Sequence, residues 1–140
     1  MLQRSVRRGE SGQATVEFAL AIPLLLLVVL GIFDLARAVW QENTLAFAVR
    51  EGARYAIVRG SLCTTPCVPA TQGTVAAYVQ QYAIGVPNVT VTATWPSGTD
   101  VGDPVTVTAT SPFVPIASRY FLGGALRVTL TGSSTMVIRQ

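Results

Sequence analysis

Between Phe18 and Phe33 the chain runs for sixteen residues without a charge, reading FALAIPLLLLVVLGIF. At 1.5 Å per helical residue this run covers about 24 Å, and extending it back to Gly12 gives about 33 Å, against a hydrocarbon core of about 30 Å. That extension admits a single charge, Glu17, so a membrane span is feasible with Glu17 at one edge. Twelve of the sixteen residues are Leu, Ile, Val or Phe. Together they contribute about −4 to −7 kcal/mol on an insertion scale, while an acidic residue costs up to about +3 at mid-membrane. Insertion prevails. Arg4, Arg7 and Arg8 outnumber Glu10 ahead of the run, which predicts a single pass with the N-terminus in the cytoplasm and the C-terminal part outside.

What the rest of the chain can do is narrowed by its charges. At 140 residues there is room for one domain and an appendage. All ten basic residues are Arg, the acids number seven, and His is absent, for a net charge of +3. Beyond residue 12 the arginines are dispersed among acids and the sequence shows no clustering of the kind that tracks phosphates, so nucleic-acid binding is not expected. Without His, the commonest general base and the commonest metal ligand are both missing. Past residue 60 the carboxylates are Asp100 and Asp103, both in a Gly/Pro/Asp turn, which leaves paired-carboxylate and triad chemistry without groups. No enzyme, no metal and no cofactor is expected.

Three readings of the apolar segment compete. A secretory signal peptide would use Ala36-Arg37-Ala38 as its cleavage site, but Asp34 and Arg37 make that a poor one. A plain signal anchor leaves a carboxylate at the edge of the apolar run unexplained, although an intramembrane acid by default has a partner. The third reading supplies one. Gly12 followed by Gln13-Ala14-Thr15-Val16-Glu17-Phe18 and an apolar helix resembles the type IV pilin processing motif. The resemblance implies that a prepilin peptidase cuts between Gly12 and Gln13, leaving Glu17 as the fifth residue of the processed chain. It also implies that the new α-amino group of Gln13 meets the Glu of a neighbouring subunit. An ammonium and a carboxylate that must both leave water offset each other's desolvation as a close pair.

Gly12 to Leu20, then Pro23 and a Leu/Val run, then Gly31-Ile32-Phe33-Asp34-Leu35-Ala36-Arg37-Ala38 narrow the resemblance, as does a second signature, Ala48-Val49-Arg50-Glu51-Gly52-Ala53-Arg54-Tyr55-Ala56. Together they resemble the TadE-like family of tight-adherence (Flp) pilus systems, over about residues 9 to 60. The resemblance implies a pseudopilin in the cytoplasmic membrane that takes part in assembling a surface pilus, with other pilin-like subunits, the assembly machinery and membrane lipid as partners. A minor subunit is expected, because the bulk pilins of such systems are generally much shorter. The alternatives are a main, self-assembling filament subunit, or a membrane-tethered or secreted binding module.

Residues 34 to 59 lack Pro, are rich in Ala, and can pair Asp34 with Arg37 and Glu51 with Arg54 at i,i+3, which carries the helix on to about Arg59 as a stalk. Pro23 removes one backbone hydrogen bond and predicts a kink over residues 19–23. Leu35, Val39, Ala46, Val49, Ala53 and Ala56 form an apolar stripe. Its C-terminal part is expected on the protein's own sheet and its N-terminal part against other helices. Arg50, Glu51, Arg54 and Tyr55 are candidate subunit contacts, against the alternative of a merely solvated face. Gly52 costs about 1 kcal/mol relative to Ala inside a helix, which points to close approach by another element. It joins them and Glu17 and Pro23 as a candidate contact.

The loop after the helix holds Cys63 and Cys67, two thiols where a zinc site needs about four ligands. Outside the membrane a local disulfide is expected, which pins a turn. Thr71 to Ile84 reads as a short helix stopped by Gly85 and Pro87. From Val89 the period becomes two, and Thr alternates with Val and Ala up to Trp95 and again from Val105 to Thr110, the signature of a hairpin. A third strand is expected from Leu126 to about Val137, after an irregular or short helical stretch at residues 111–124. The fold class is α+β, a long N-terminal transmembrane and stalk helix packed at its outer half on a small antiparallel sheet of three or four strands, as in pilins. The expected divisions are a leader at 1–12, the helix at 13–60 and an outer domain at 61–140.

Overall fold

A computed structural model of the chain describes residues 10–121 and 123–139. The leader arginines Arg4, Arg7 and Arg8, on which the predicted orientation rests, lie outside the described residues.

The first element, α1, is one helix from Glu10–Ile57, 48 residues and so about 72 Å long. It runs through Pro23 as a single helix and begins ahead of Gly12, so the expected boundary between leader and stalk falls inside it. It stops two residues short of Arg59, where the Arg59 N–H turns back to the Ala56 carbonyl at 3.1 Å. A tightened final turn of this kind satisfies carbonyls that an α-helix end leaves open.

The disulfide between Cys63 and Cys67 closes the loop that follows. Helix α2 spans Gln72–Tyr82, shorter at both ends than the sequence suggested. Its start is set by a capping box. The Thr71 hydroxyl accepts from the Thr74 N–H, and the Thr74 hydroxyl accepts from the Thr71 N–H at 2.9 Å. Its end comes at Ala83, ahead of Gly85, whose φ of +76° suits glycine.

Three strands follow, β1 (Thr90–Thr94), β2 (Pro104–Phe113) and β3 (Val128–Val137), in the order β1-β2-β3 and antiparallel throughout. A six-residue helix, α3 (Ile116–Phe121), lies between β2 and β3. Strand β2 extends to Phe113, beyond the Thr110 limit of its Thr alternation, because β3 pairs along its whole length from Pro104↔Val137 to Phe113↔Val128. The period of two sorts the two faces. Val91, Ala93, Val105, Val107, Ala109, Phe113 and Leu130 point into the core, and the threonines form cross-strand rows outside, such as Thr94, Thr106 and Thr135. The Thr106 and Thr135 hydroxyls lie 2.9 Å apart.

The outer half of α1 covers β2 and β3 while α2 covers β1, and both helices meet each other. Leu45, Ala48, Val49, Ala53 and Ala56 of α1 are fully buried with Val75 and Val79 of α2. Gln72 closes the outer edge of β1. Its side-chain amide donates to the Val91 carbonyl at 2.8 Å and its carbonyl accepts from the Ala93 N–H. That occupies backbone groups which an open edge would offer to another chain.

Candidate functional site

The inner half of α1 is the opposite of its outer half. From Val16 to Phe33 its large apolar side chains stand exposed apart from the partly exposed Leu30, with Phe18 at 67%, Leu20 at 72% and Leu24 at 67%. None of this segment is buried by the other described residues, and the helix is long and apolar enough to cross a membrane. Pro23, Leu26, Leu27 and Leu30 line a shallow groove on it that is almost wholly apolar.

At the start of that segment Gly12 and Gln13 lie in the first turn of α1, and Phe18 follows Glu17 on the exposed surface. The Glu17 carboxylate accepts a hydrogen bond from the side-chain amide of Gln13 at 3.2 Å. A neutral amide compensates a desolvated carboxylate only in part, so in an apolar setting Glu17 still calls for a cation.

The residues of the second signature divide by the side of the helix they occupy. Arg50 and Arg54 are exposed, and Arg54 pairs with Glu51 at 3.1 Å, the i,i+3 pair anticipated from the sequence. Tyr55 is half-buried and engaged within the protein. It stacks on Tyr78 at 4.6 Å between ring centres, and the Arg59 guanidinium carbon lies 3.9 Å from its ring centre. Tyr78 in turn meets Tyr82, whose hydroxyl is 3.3 Å from its own. That hydrogen bond, ahead of partial burial and the charge of Glu51, raises the Tyr78 hydroxyl above the ordinary tyrosine range.

Gly52 requires correction as a candidate subunit contact. It is buried, and a Cβ at this position would collide with a methyl of Val79 on α2. The close approach inferred from a glycine inside a helix is present, but the approaching element belongs to the same subunit.

Where the uncharged run ends, Asp34 is 6% exposed and holds two partners. One carboxylate oxygen receives Arg37 at 3.0 Å, the other pair anticipated from the sequence, and the second accepts from the Ala117 N–H of α3 at 3.3 Å. The acid nearest the outer edge of the apolar run is therefore compensated within the chain. Two turns further on, Gln41 is 5% exposed and its side-chain oxygen has no hydrogen-bond partner among the described residues.

Sequence reasoning missed the tertiary role of Asp34, the buried Gln41, and Gly132. A Cβ on Gly132 would lie 3.0 Å from the backbone nitrogen of Ala46 and 3.0 Å from the carbonyl carbon of Leu45, so α1 and β3 touch backbone to side-chain-free backbone. The only sequence signal for this contact is a glycine within a Thr/Ser-rich strand, which by itself reads equally as a bulge.

No curated protein and no solved structure matches the chain. Residues 12–54, the stretch of α1 that joins the exposed apolar half to the buried half, match the family model described as TadE-like protein, and over this segment the chain is similar to that family.

Proposed function

We propose that the chain is a non-enzymatic pseudopilin of a Tad-type pilus, processed by a prepilin peptidase between Gly12 and Gln13 and acting as a minor subunit in pilus assembly. The observation that carries this reading is the position of the TadE-like match. It falls on a helix whose inner half exposes a membrane-length apolar surface and whose outer half is held by a folded domain. A helix built this way is delivered to the membrane, and its apolar flank remains available to pack against neighbouring helices once lipid is left behind.

Glu17 supplies the register in this reading. Cleavage frees the α-amino group of Gln13, and pairing that cation with the Glu17 of another subunit removes both charges from water together. The exposed Arg50 and the Glu51–Arg54 pair are the remaining candidate contacts at the level of the outer domain, while Pro23 and its apolar groove are candidates at the level of the membrane. The test is the N-terminal residue of the protein recovered from its native membrane, read by mass spectrometry with and without the prepilin peptidase. A peptidase-dependent start at Gln13 is expected. A start at Val39 would instead make the chain a secreted binding domain, and an intact Met1 a tethered one. Low abundance relative to the bulk pilin in isolated pili is expected of a minor subunit.

A further inference from the structure

We propose that a cleft at the membrane-facing end of the outer domain binds the headgroup of a phospholipid, a phosphodiester that carries its own hydrogen-bond donor. The proposal rests on the membrane-spanning reading of α1 and adds to it a ligand and a site.

The cleft has a volume of about 380 Å³ and is lined by three arginines from distant parts of the chain, Arg37, Arg119 and Arg127. Among the described residues the only carboxylate paired with any of them is Asp34, which meets Arg37. Arg119 and Arg127 have no carboxylate partner among the described residues. Arg127 donates its Nε to the Gly124 carbonyl at 3.4 Å, which leaves its terminal nitrogens without a protein acceptor among the described residues. Arg37 is held in place by the Phe113 ring, 5.2 Å below its guanidinium carbon. Guanidinium groups converging on one cleft suit a phosphate, which they can meet with paired hydrogen bonds.

A second observation concerns the other end of the ligand. Gln41 lines the same cleft, is 5% exposed, and its side-chain oxygen has no donor among the described residues. Buried polar atoms are satisfied in nearly all folded proteins, so an orphaned acceptor in a cleft marks a missing donor. A metal cation or a simple amine is disfavoured by the surrounding arginines. A phosphodiester with an ammonium or hydroxyl arm satisfies both halves, phosphate on the arginines and N–H or O–H on Gln41.

The position fits the same ligand. Arg37 lies four residues beyond Phe33, about 6 Å along the helix, within the headgroup layer of about 5–7 Å on each side of the hydrocarbon. The site is also braced. The Ser118 hydroxyl receives the Leu126 N–H at 2.9 Å and donates to the Leu126 carbonyl at 3.3 Å, which fixes the loop carrying Arg127 beside the helix carrying Arg119. Asp34 anchors that helix to α1 through the Ala117 N–H.

The test uses the full chain in nanodiscs of phosphatidylglycerol, phosphatidylethanolamine or phosphatidylcholine, with retained lipid counted by native mass spectrometry. Phosphatidylcholine has the phosphate but no N–H or O–H donor. Retention of the first two lipids at least about tenfold above phosphatidylcholine is expected, with that margin lost in Gln41→Met and all retention lost in Arg119→Gln/Arg127→Gln, as for loss of a charge-assisted hydrogen bond. Both arginines are exposed, and circular dichroism checks that the double variant folds. Equal retention of the three lipids, or retention unchanged in the double variant, overturns the proposal. So does displacement of the lipid by millimolar inorganic phosphate, which would identify a site for a free anion. Carbonate extraction separates the two readings. A chain that resists extraction but retains no lipid ends this proposal alone, and a chain that washes off the membrane ends both.

Discussion

The two halves of α1 differ in what covers them, and in the side chains they place there. The outer half buries small residues, Ala48, Gly52, Ala53 and Ala56, and draws α2 and the sheet close against the helix backbone. The inner half carries large ones, Leu, Ile, Val and Phe, and none of the described residues buries them. In water the arrangement would be inverted, since apolar burial contributes about 25 cal/mol per Å² and the largest side chains have the most to gain. The difference teaches that the outer half is packed by the fold, whereas the inner half is left for surroundings of its own kind, which in the proposed function are lipid and then neighbouring helices.

The largest break in this comparison is expected from Leu26→Asp. Replacing Leu by Asp near the middle of the span costs about 3–4 kcal/mol of insertion, yet the melting temperature of the outer domain should not move, as measured by carbonate extraction and circular dichroism. The reverse break is Gly132→Val. Its side chain meets the backbone of Leu45 and Ala46, which cannot rotate away, so α1 and β3 must part and the outer domain should lose about 3 kcal/mol or more in denaturant unfolding while insertion is kept. Gly52→Ala sharpens the point. Its Cβ collides with a side-chain methyl of Val79 and no backbone, with Val107 and Val75 at ordinary contact distance, and the gain of about 1 kcal/mol in helix propensity offsets part of the collision, so the loss should be well below that of Gly132→Val.

Smaller effects are expected at the two ends of the outer half. Cys63→Ser opens a loop of sequence separation 4 and should lower stability by about 2 kcal/mol at most, leaving the helix contacts intact. Complete unfolding would show that the loop supports more than a turn. Asp34→Ala removes the acceptor of the Ala117 N–H and the partner of Arg37, and should cost about 1 kcal/mol. Hydrogen exchange at Ala117 should quicken while the amides of Leu45 to Ala53 stay protected. Uniform loss of protection would mean that the boundary between the two halves is set elsewhere.

Much of the architecture was legible because it is local. A charge-free run, an i,i+3 pair and a Thr/Val alternation each report on neighbours a few residues apart, and α1, both ion pairs and all three strands follow from them. The ends of elements were less legible. Strand β2 continues past its alternation because β3 offers partners there, and α2 starts at Gln72 because two threonine hydroxyls close its first turn. Within the candidate site, Gly12, Gln13, Glu17 and Phe18 were readable as a motif, whereas the inward side of Gly52 was not. A glycine announces that something comes close, and it takes the fold to say that the neighbour is Val79.

The sequence by itself determined a helix too apolar for water at one end and too rich in small residues to stand alone at the other, and a sheet with one face of threonine. These are consequences of side-chain chemistry repeated at a fixed period along the chain. Only the tertiary structure decided which distant groups meet. Asp34 finds Ala117 across 83 residues, and Arg37, Gln41, Arg119 and Arg127 come to one cleft. No periodicity encodes such meetings, because they depend on how the whole length of α1 seats against β3 at Gly132 and on where β2 turns to deliver α3.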